Sequence, residues 1–410
     1  MSSYWRSVTS VFMGTLMAQM IPIVGSLVIA RQYLPDEFGA FSVWLGVVTF
    51  LSVVLTARFE TALALEDDGN PRQQAVLAAL IVTLMLTMAS ALIVGAIAFL
   101  MPAWLGEFSL LSVLLLVPAA LALSVSQIWQ SWAAAEGSYA FLSIMRIVQA
   151  AGITLLQISA GMFLATSDAL VGAYAIGVML GGLISAKLMP FKVSLKWQHL
   201  WPASKKFWVR QKKFPMFSLP ADAISAASAQ LPVVIVAARF GTETAGLLAM
   251  TFRILGAPIG LLGKAVLDVF KRHAAESFRK RGECRDEYIR TFTVLAIGSL
   301  LFCSVMAIFS ESAFAFAFGE SWRGAGTIAV WLLPLFALRF MASPLSYMVY
   351  IAGKQHVDLF WQIVLLAMTY LSLSILHGYE QALQVYSAGY SLLYVIYLAM
   401  SYRFSLGERR

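Results

Sequence analysis

Residues 75–101 read AVLAALIVTLMLTMASALIVGAIAFLM, a run without one charged side chain. An α-helix rises about 1.5 Å per residue and the hydrocarbon core of a bilayer is about 30 Å thick, so about 20 apolar residues span it. This run is longer than that. Its apolar residues are continuous rather than alternating, which excludes a β-barrel strand. The stretch is a helix that crosses a membrane.

The pattern recurs along the whole chain. Working outward gives spans at 8–30, 39–57, 75–101, 109–126, 139–165 and 169–188, then 217–238, 244–270, 292–318, 326–351, 359–376 and 383–402. Between the third and fourth spans residues 101–107 are the whole loop. The first span follows a single charge, Arg6, and is too long for the apolar region of a signal peptide, so it reads as a retained helix. Composition agrees. Of 410 residues 60% are hydrophobic and 12% charged, where an average soluble domain has about 25% charged. Mean hydropathy is +0.79. So few charges cannot cover a soluble protein of this size. Cys284 falls in a basic loop and Cys303 inside a helix, so no disulfide framework is expected.

Lysine and arginine set the orientation. With both termini inside, 22 of the 29 fall in inside segments, among them Arg6, Arg58, Arg72, the groups at 187–213 and 271–290, Lys354, Arg403, Arg409 and Arg410. Only Arg31, Arg239 and Arg323 fall outside. The termini are therefore expected to be cytoplasmic. In the segment after the sixth span, Trp197, Trp201, Phe207 and Trp208 interleave with Lys196, Lys205, Lys206 and Arg210. In a membrane protein this reads as an interfacial belt facing anionic lipid headgroups, not a nucleic-acid surface.

That segment divides the chain into a first bundle of six helices at 1–190, a basic cytoplasmic linker at 191–216 and a second bundle at 217–410. The halves begin alike: Ala18-Gln19, Pro22, Ala30-Arg31 and Gly39 recur as Ala229-Gln230, Pro232, Ala238-Arg239 and Gly246. An even number of helices per repeat gives both halves the same topology, as in duplicated transporters.

The chain carries no phosphate-binding loop, nucleophile elbow, zinc-ligand helix or dinucleotide fingerprint, and no cofactor is expected. His199, His273, His356 and His377 all fall in loops or at helix ends. The outside loops are short, leaving no external domain to hold two substrates of a glycan-transferring enzyme. The informative signal is charge inside the spans, which costs several kcal/mol unless it faces a cavity or partner. These residues are Arg146, Asp222, Arg253, Lys264, Asp268 and Arg339. Lys264 and Asp268, four apart, read as a pair. Arg146 either snorkels or lines a cavity. Arg58, just beyond the second span, reads as an anchor or a partner for Glu60. Arg253 and Arg339 are too deep to reach water easily and read as lining a water-filled central cavity, the alternative being a buried pair with Asp222. Asp222 is also the candidate for a titrating or cation-binding carboxylate. Gly256, Pro258, Gly260 and Gly263 serve close packing or a hinge, and Gly177 and Gly181 serve packing. Arginines suit phosphate or pyrophosphate through paired hydrogen bonds, so an anionic, amphipathic substrate follows.

Several motifs resemble the Wzx-type polysaccharide biosynthesis transporters of the multidrug/oligosaccharidyl-lipid/polysaccharide exporter superfamily. They are Gly14-Thr15 with Ala18-Gln19 and Ile21-Pro22, then Ala30-Arg31 with Leu34-Pro35-Asp36-Glu37-Phe38-Gly39, and Ala57-Arg58-Phe59-Glu60-Thr61-Ala62. In the second half they are Ala229-Gln230-Leu231-Pro232 with Phe240-Gly241, Ala245-Gly246, Arg253, Pro258 and Val269-Phe270, then Phe318-Gly319-Glu320-Ser321-Trp322-Arg323-Gly324-Ala325-Gly326 and Ser343-Pro344-Leu345-Ser346. The run Ala64-Leu65-Glu66-Asp67-Asp68 departs from the family pattern and reads as a variable cytoplasmic loop.

The resemblance implies an all-α integral membrane protein, with about twelve transmembrane helices in two six-helix bundles around a central cationic cavity. It implies a flippase of the bacterial inner membrane that carries an undecaprenyl-pyrophosphate-linked oligosaccharide from the cytoplasmic to the periplasmic face. Its use would be O-antigen, capsule or exopolysaccharide synthesis, by alternating access driven by an H+ or Na+ gradient. Substrate binding carries over to Arg253 and Arg339 first, then Lys264, Arg146 and Arg58, with Asp222 for ion coupling. Glycan polymerase and chain-length proteins are the implied protein partners. Three other classes stand against this: a drug exporter, which needs a net-negative cavity, a glycan polymerase or ligase, and a non-transporting scaffold.

Overall fold

A computed structural model describes residues 3–100, 108–188 and 197–407, leaving out the side chains at 3–12, 197–199, 264, 268, 355, 356 and 359. The expected join at 101–107 lies outside the described residues, as do Arg409 and Arg410. Among the described residues the regular structure is entirely helical.

Eleven helical stretches among the described residues are long and apolar enough to cross a membrane, and Phe360–Ile375 is a shorter apolar one. The first six are α1 (Ser3–Gln32), α2 (Pro35–Leu55), α4 (Asn70–Leu100), α5 (Leu110–Ala135), α6 (Tyr139–Gly161) and α7 (Ser167–Leu188), with the single turn α3 (Phe59–Ala62) after α2. Then come α8 (Trp197–Arg210), α9 (Leu219–Phe240), α10 (Thr242–Pro258), α11 (Lys264–Arg281), α12 (Arg285–Phe318), α13 (Arg323–Leu345), the short α14 (Met348–Ile351), α15 (Gln355–Ile375) and α16 (Tyr379–Ser405). Most helices outrun the apolar spans because their polar ends stay helical. α12, for example, begins at Arg285 rather than at residue 292, with Asp286 and Glu287 in a first turn where the helix dipole favours acids.

Small residues let neighbouring helices approach. A Cβ on Gly177 would lie 2.8 Å from the Ile153 Cα, so α7 can sit this close to α6 only with glycine there. Gly181 meets Gln149 in the same way, at 3.0 Å. In the second half a Cβ on Gly326 would lie 2.5 Å from the Glu311 Cα, which sets the approach of α13 to α12. The packing role expected of Gly256 does not hold: its nearest neighbour is a Phe336 ring atom at 3.9 Å. Its surroundings have the other feature expected of this region. Between α10 and α11 the chain passes through a π-helical turn at Ile259–Gly263, immediately after Pro258, whose ring removes a backbone donor.

The chain divides into two compact units, Met1–Gln230 and Leu231–Arg410, so the boundary falls inside α9. In the first unit the basic segment is not a free linker. α8 lies along α4: Phe207 is buried against Phe59, 5.4 Å between ring centroids, and the Trp208 indole N–H donates to the Ala78 carbonyl at 3.1 Å. The aromatic belt expected to face lipid headgroups is therefore corrected for these two residues, since burial of a ring and pairing of its N–H both favour the protein. Trp201 remains exposed, and Lys192, Lys196 and the Trp197 side chain lie outside the description.

The loop at residues 64–68 is tied into the first unit. Glu66 is buried and holds α8 through an ion pair with Arg210 and a 2.8 Å hydrogen bond from Gln211. Arg72, one of the charges assigned to the inside surface, is itself buried. It donates to the carbonyls of Leu63, Glu66 and Ala135 and pairs with Asp68 and Glu136, at 2.6 and 3.3 Å. Five acceptors around one guanidinium satisfy its donor fork, which is what allows the charge to be buried.

In the second unit Cys284 sits in the turn between α11 and α12, fully buried, its N–H on the Ser405 carbonyl at 2.8 Å. Burial pushes its thiol up to about 12.

Candidate functional site

The site is built where α2 ends. After Leu55 the backbone turns through two left-handed residues, Ala57 (φ 47°) and Arg58 (φ 61°), before the short α3. Non-glycine residues avoid this conformation at a cost of about 1–3 kcal/mol each, and they hold it where the surroundings over-determine it. The Thr61 hydroxyl donates to the Arg58 carbonyl at 2.6 Å and fixes the turn. The turn aims the Arg58 guanidinium between two carboxylates: Glu60 at 2.8 Å and Asp222 of α9 at 2.7 Å. Glu60 is buried, and that burial raises its carboxyl above the usual range despite the opposing pull of Arg58. The partner of Asp222 is thus Arg58.

Beside this triad opens a cavity of about 280 Å³. Arg58, Glu60 and Thr61 form one wall, Gln127, Gln130 and Ser131 of α5 a second, and Arg146 of α6 a third. The three α5 residues stand at i, i+3 and i+4 and share a face. Ile128, Trp129, Trp132 and Ala133 turn the other way into the hydrophobic core of the unit. Arg146 lines the cavity rather than snorkelling. It donates through Nε to Gln130 at 3.3 Å and through a terminal nitrogen to Thr15 of α1 at 2.8 Å. Gln130 in turn donates to Gln149 at 3.0 Å. The Gly14-Thr15 motif has a physical reason here: a Cβ on Gly14 would meet Ser143, so glycine brings α1 against α6 and Thr15 within reach of Arg146.

The other expected residues lie in the second unit. Arg253 is half-buried on α10, ahead of the π-helical turn, and Lys264 begins α11 just after it. The side chains of Lys264 and Asp268, and the pairing expected between them, lie outside the described residues. Arg339 of α13 is exposed, although by helical rise it lies roughly 18 Å from the nearer end of the span Glu320–Ile351. Tyr386, Tyr390 and Tyr394 of α16, a row at i, i+4 and i+8, are within its electrostatic reach. Of the six expected site residues, the structure brings together Arg58, Asp222 and Arg146.

The neutral side chains were missed: Gln127, Gln130, Ser131 and Gln149 carry no charge, and a search for ionisable residues passes over them. The spacing of Gln127, Gln130 and Ser131 on α5 is the signal that finds those three; Gln149 lies on α6 and is found only through its bond to Gln130. Among the described residues, no group of three or more histidine, cysteine or acidic side chains could hold a metal ion.

Residues 28–326 match the model of the family described as polysaccharide biosynthesis protein. No curated protein matches the chain. Among solved structures the chain is similar to the lipid II flippase MurJ in an inward closed conformation, at 12% identity and a TM-score of 0.73, covering 97% of this chain and 87% of that one. It is also similar to an inward-facing multidrug resistance MATE family transporter of the MOP superfamily, at 11% identity and a TM-score of 0.62, covering 97% and 94%. The MATE multidrug transporter DinF-BH in complex with R6G gives 15% identity, a TM-score of 0.61 and the same coverage. At these identities the likeness establishes the fold: all-α, multi-pass and of the MOP type.

Proposed function

The chain belongs to the polysaccharide biosynthesis protein family, and from that premise we propose that it is a flippase for an undecaprenyl-pyrophosphate-linked oligosaccharide. It moves this lipid from the cytoplasmic to the periplasmic face of a bacterial inner membrane, with both termini cytoplasmic. The observation that carries the reading is Arg339. An exposed arginine this deep in an apolar span cannot face lipid without a cost of several kcal/mol, and its side chain is too short to reach the interface. It must face water, ligand or protein, which supports a cationic cavity, and Arg253 of α10 and Lys264 at the start of α11 are the further cations we assign to the substrate. Guanidinium forks match the oxygens of a diphosphate.

Transport proceeds by alternating access, and the π-helical turn after Pro258 gives the eighth span a place to bend. An H+ or Na+ gradient drives the cycle. Asp222, paired to Arg58, is where a proton or cation competes with an arginine. The family name and the lipid II flippase among the similar folds favour lipid-linked glycan over small drugs, and they favour transport over glycan polymerisation or a scaffold role.

Replacing Arg339 with alanine should lower transport by roughly ten- to a hundredfold, the worth of a lost hydrogen bond to a charged group, with membrane abundance unchanged. Arg339→Lys should restore only part of it, because the paired geometry is gone. Full transport by the alanine variant would remove Arg339 from the site.

A further inference from the structure

The cavity between Arg58, α5 and Arg146 differs from a diphosphate site in that one of its two guanidiniums is already taken up by carboxylates. Arg58 is already paired, with Glu60 of the cavity wall at 2.8 Å and with Asp222 beside the cavity at 2.7 Å. Arg146 is held by neutral partners, Gln130 and Thr15. A diphosphate would meet a single guanidinium here, that of Arg146, with the Glu60 carboxyl in the same wall. What the walls offer is a set of neutral donors and acceptors, two amides and the hydroxyls of Thr61 and Ser131. The remaining donors are the N–H groups of Arg146 beyond the two already engaged.

A volume of about 280 Å³ falls at the bottom of the roughly 300–1,000 Å³ range of small-molecule pockets, too small for an oligosaccharide and ample for one ring. The geometry is rigid. Gln127 is tied to Ser52 at 3.3 Å, Gln130 to Gln149 at 3.0 Å, and the Arg58 turn is fixed by Thr61. Fixed polar groups that would be left unpaired by the wrong ligand are the source of strong discrimination.

We propose that this cavity is a sugar-reading site, where Gln127, Ser131 and Arg146 hydrogen-bond the hydroxyls of one neutral sugar ring of the transported oligosaccharide while Gln130 positions Arg146. The proposal rests on the flippase reading for its substrate. It assigns recognition of the glycan to the first unit, apart from the arginines that hold the diphosphate.

The test uses the full-length protein in lipid nanodiscs with Cys303 replaced by alanine and a reporter thiol in the cavity wall, in separate Ser131→Cys and Ala134→Cys chains. Both sites line the cavity, and Ala134→Cys leaves the proposed hydrogen-bonding groups intact. The rate of modification by a charged methanethiosulfonate is measured with three probes: the host's lipid-linked oligosaccharide, the oligosaccharide released from it, and inorganic pyrophosphate. The released oligosaccharide should slow labelling roughly tenfold at about ten times its Kd, the lipid-linked form should do the same, and pyrophosphate should not. Protection by pyrophosphate but not by the released sugar would overturn the assignment, and so would the absence of protection by any probe. Transport of the lipid-linked oligosaccharide by the same chains is read in parallel. Its loss in the unsubstituted protein would be a failure of the flippase reading, whereas transport without sugar protection is a failure of the sugar site alone.

Discussion

Glu60 shows how one buried carboxyl sets the character of a site. Burial raises its pKa while Arg58 opposes the shift. The folded protein therefore holds its proton to higher pH than the unfolded chain, whose glutamates titrate near about 4.3. The stability this group contributes is present below that value and is lost as pH rises through the folded pKa. Chemical or thermal unfolding at a series of pH values should show the wild type losing stability relative to Glu60→Gln across that window, by up to about 1.4 kcal/mol per pH unit. Parallel pH profiles for the two proteins would contradict it. Arg58, Glu60, Asp222 and Arg146 were all legible in the sequence, because charge in or beside an apolar span is conspicuous. Which carboxylate meets which guanidinium was not, since Arg58 and Asp222 are far apart in the chain and meet through a left-handed turn at Ala57 and Arg58 that no propensity favours.

At the scale of elements, continuous apolar runs located the spans because about 20 apolar residues in a helix are needed to cross the hydrocarbon core. They could not distinguish the glycines. Gly177 and Gly256 look alike in sequence, yet one faces the Ile153 backbone at 2.8 Å and the other an open edge of Phe336 at 3.9 Å. Gly177→Ala should overpack the α6–α7 contact and cost about 1–3 kcal/mol, seen as a lower midpoint in thermal unfolding. Gly256→Ala should be neutral or slightly stabilising by helix propensity. Equal losses would mean that both glycines pack. The linker was misread for a related reason. Phe207 and Trp208 alternate with cations as an interfacial helix does, but their partners, Phe59 and the Ala78 carbonyl, lie in distant elements. Glu66 was discounted as loop for want of any local sign that it reaches Arg210.

For the whole molecule, the decisive features are the eleven long apolar helices and one shorter one among the described residues, a family assigned over residues 28–326, and the MOP-type fold. The central claim is that the chain moves a lipid-linked glycan across the bilayer, with its diphosphate held by deep arginines. The measurement that bears on it most directly is the sidedness of the lipid-linked oligosaccharide in inner-membrane vesicles from cells lacking the gene. The account predicts accumulation on the cytoplasmic face, relieved by the wild-type gene and not by one carrying Arg253→Ala and Arg339→Ala together. Accumulation on the periplasmic face would contradict it, because translocation would then be intact and the protein would act at a later step.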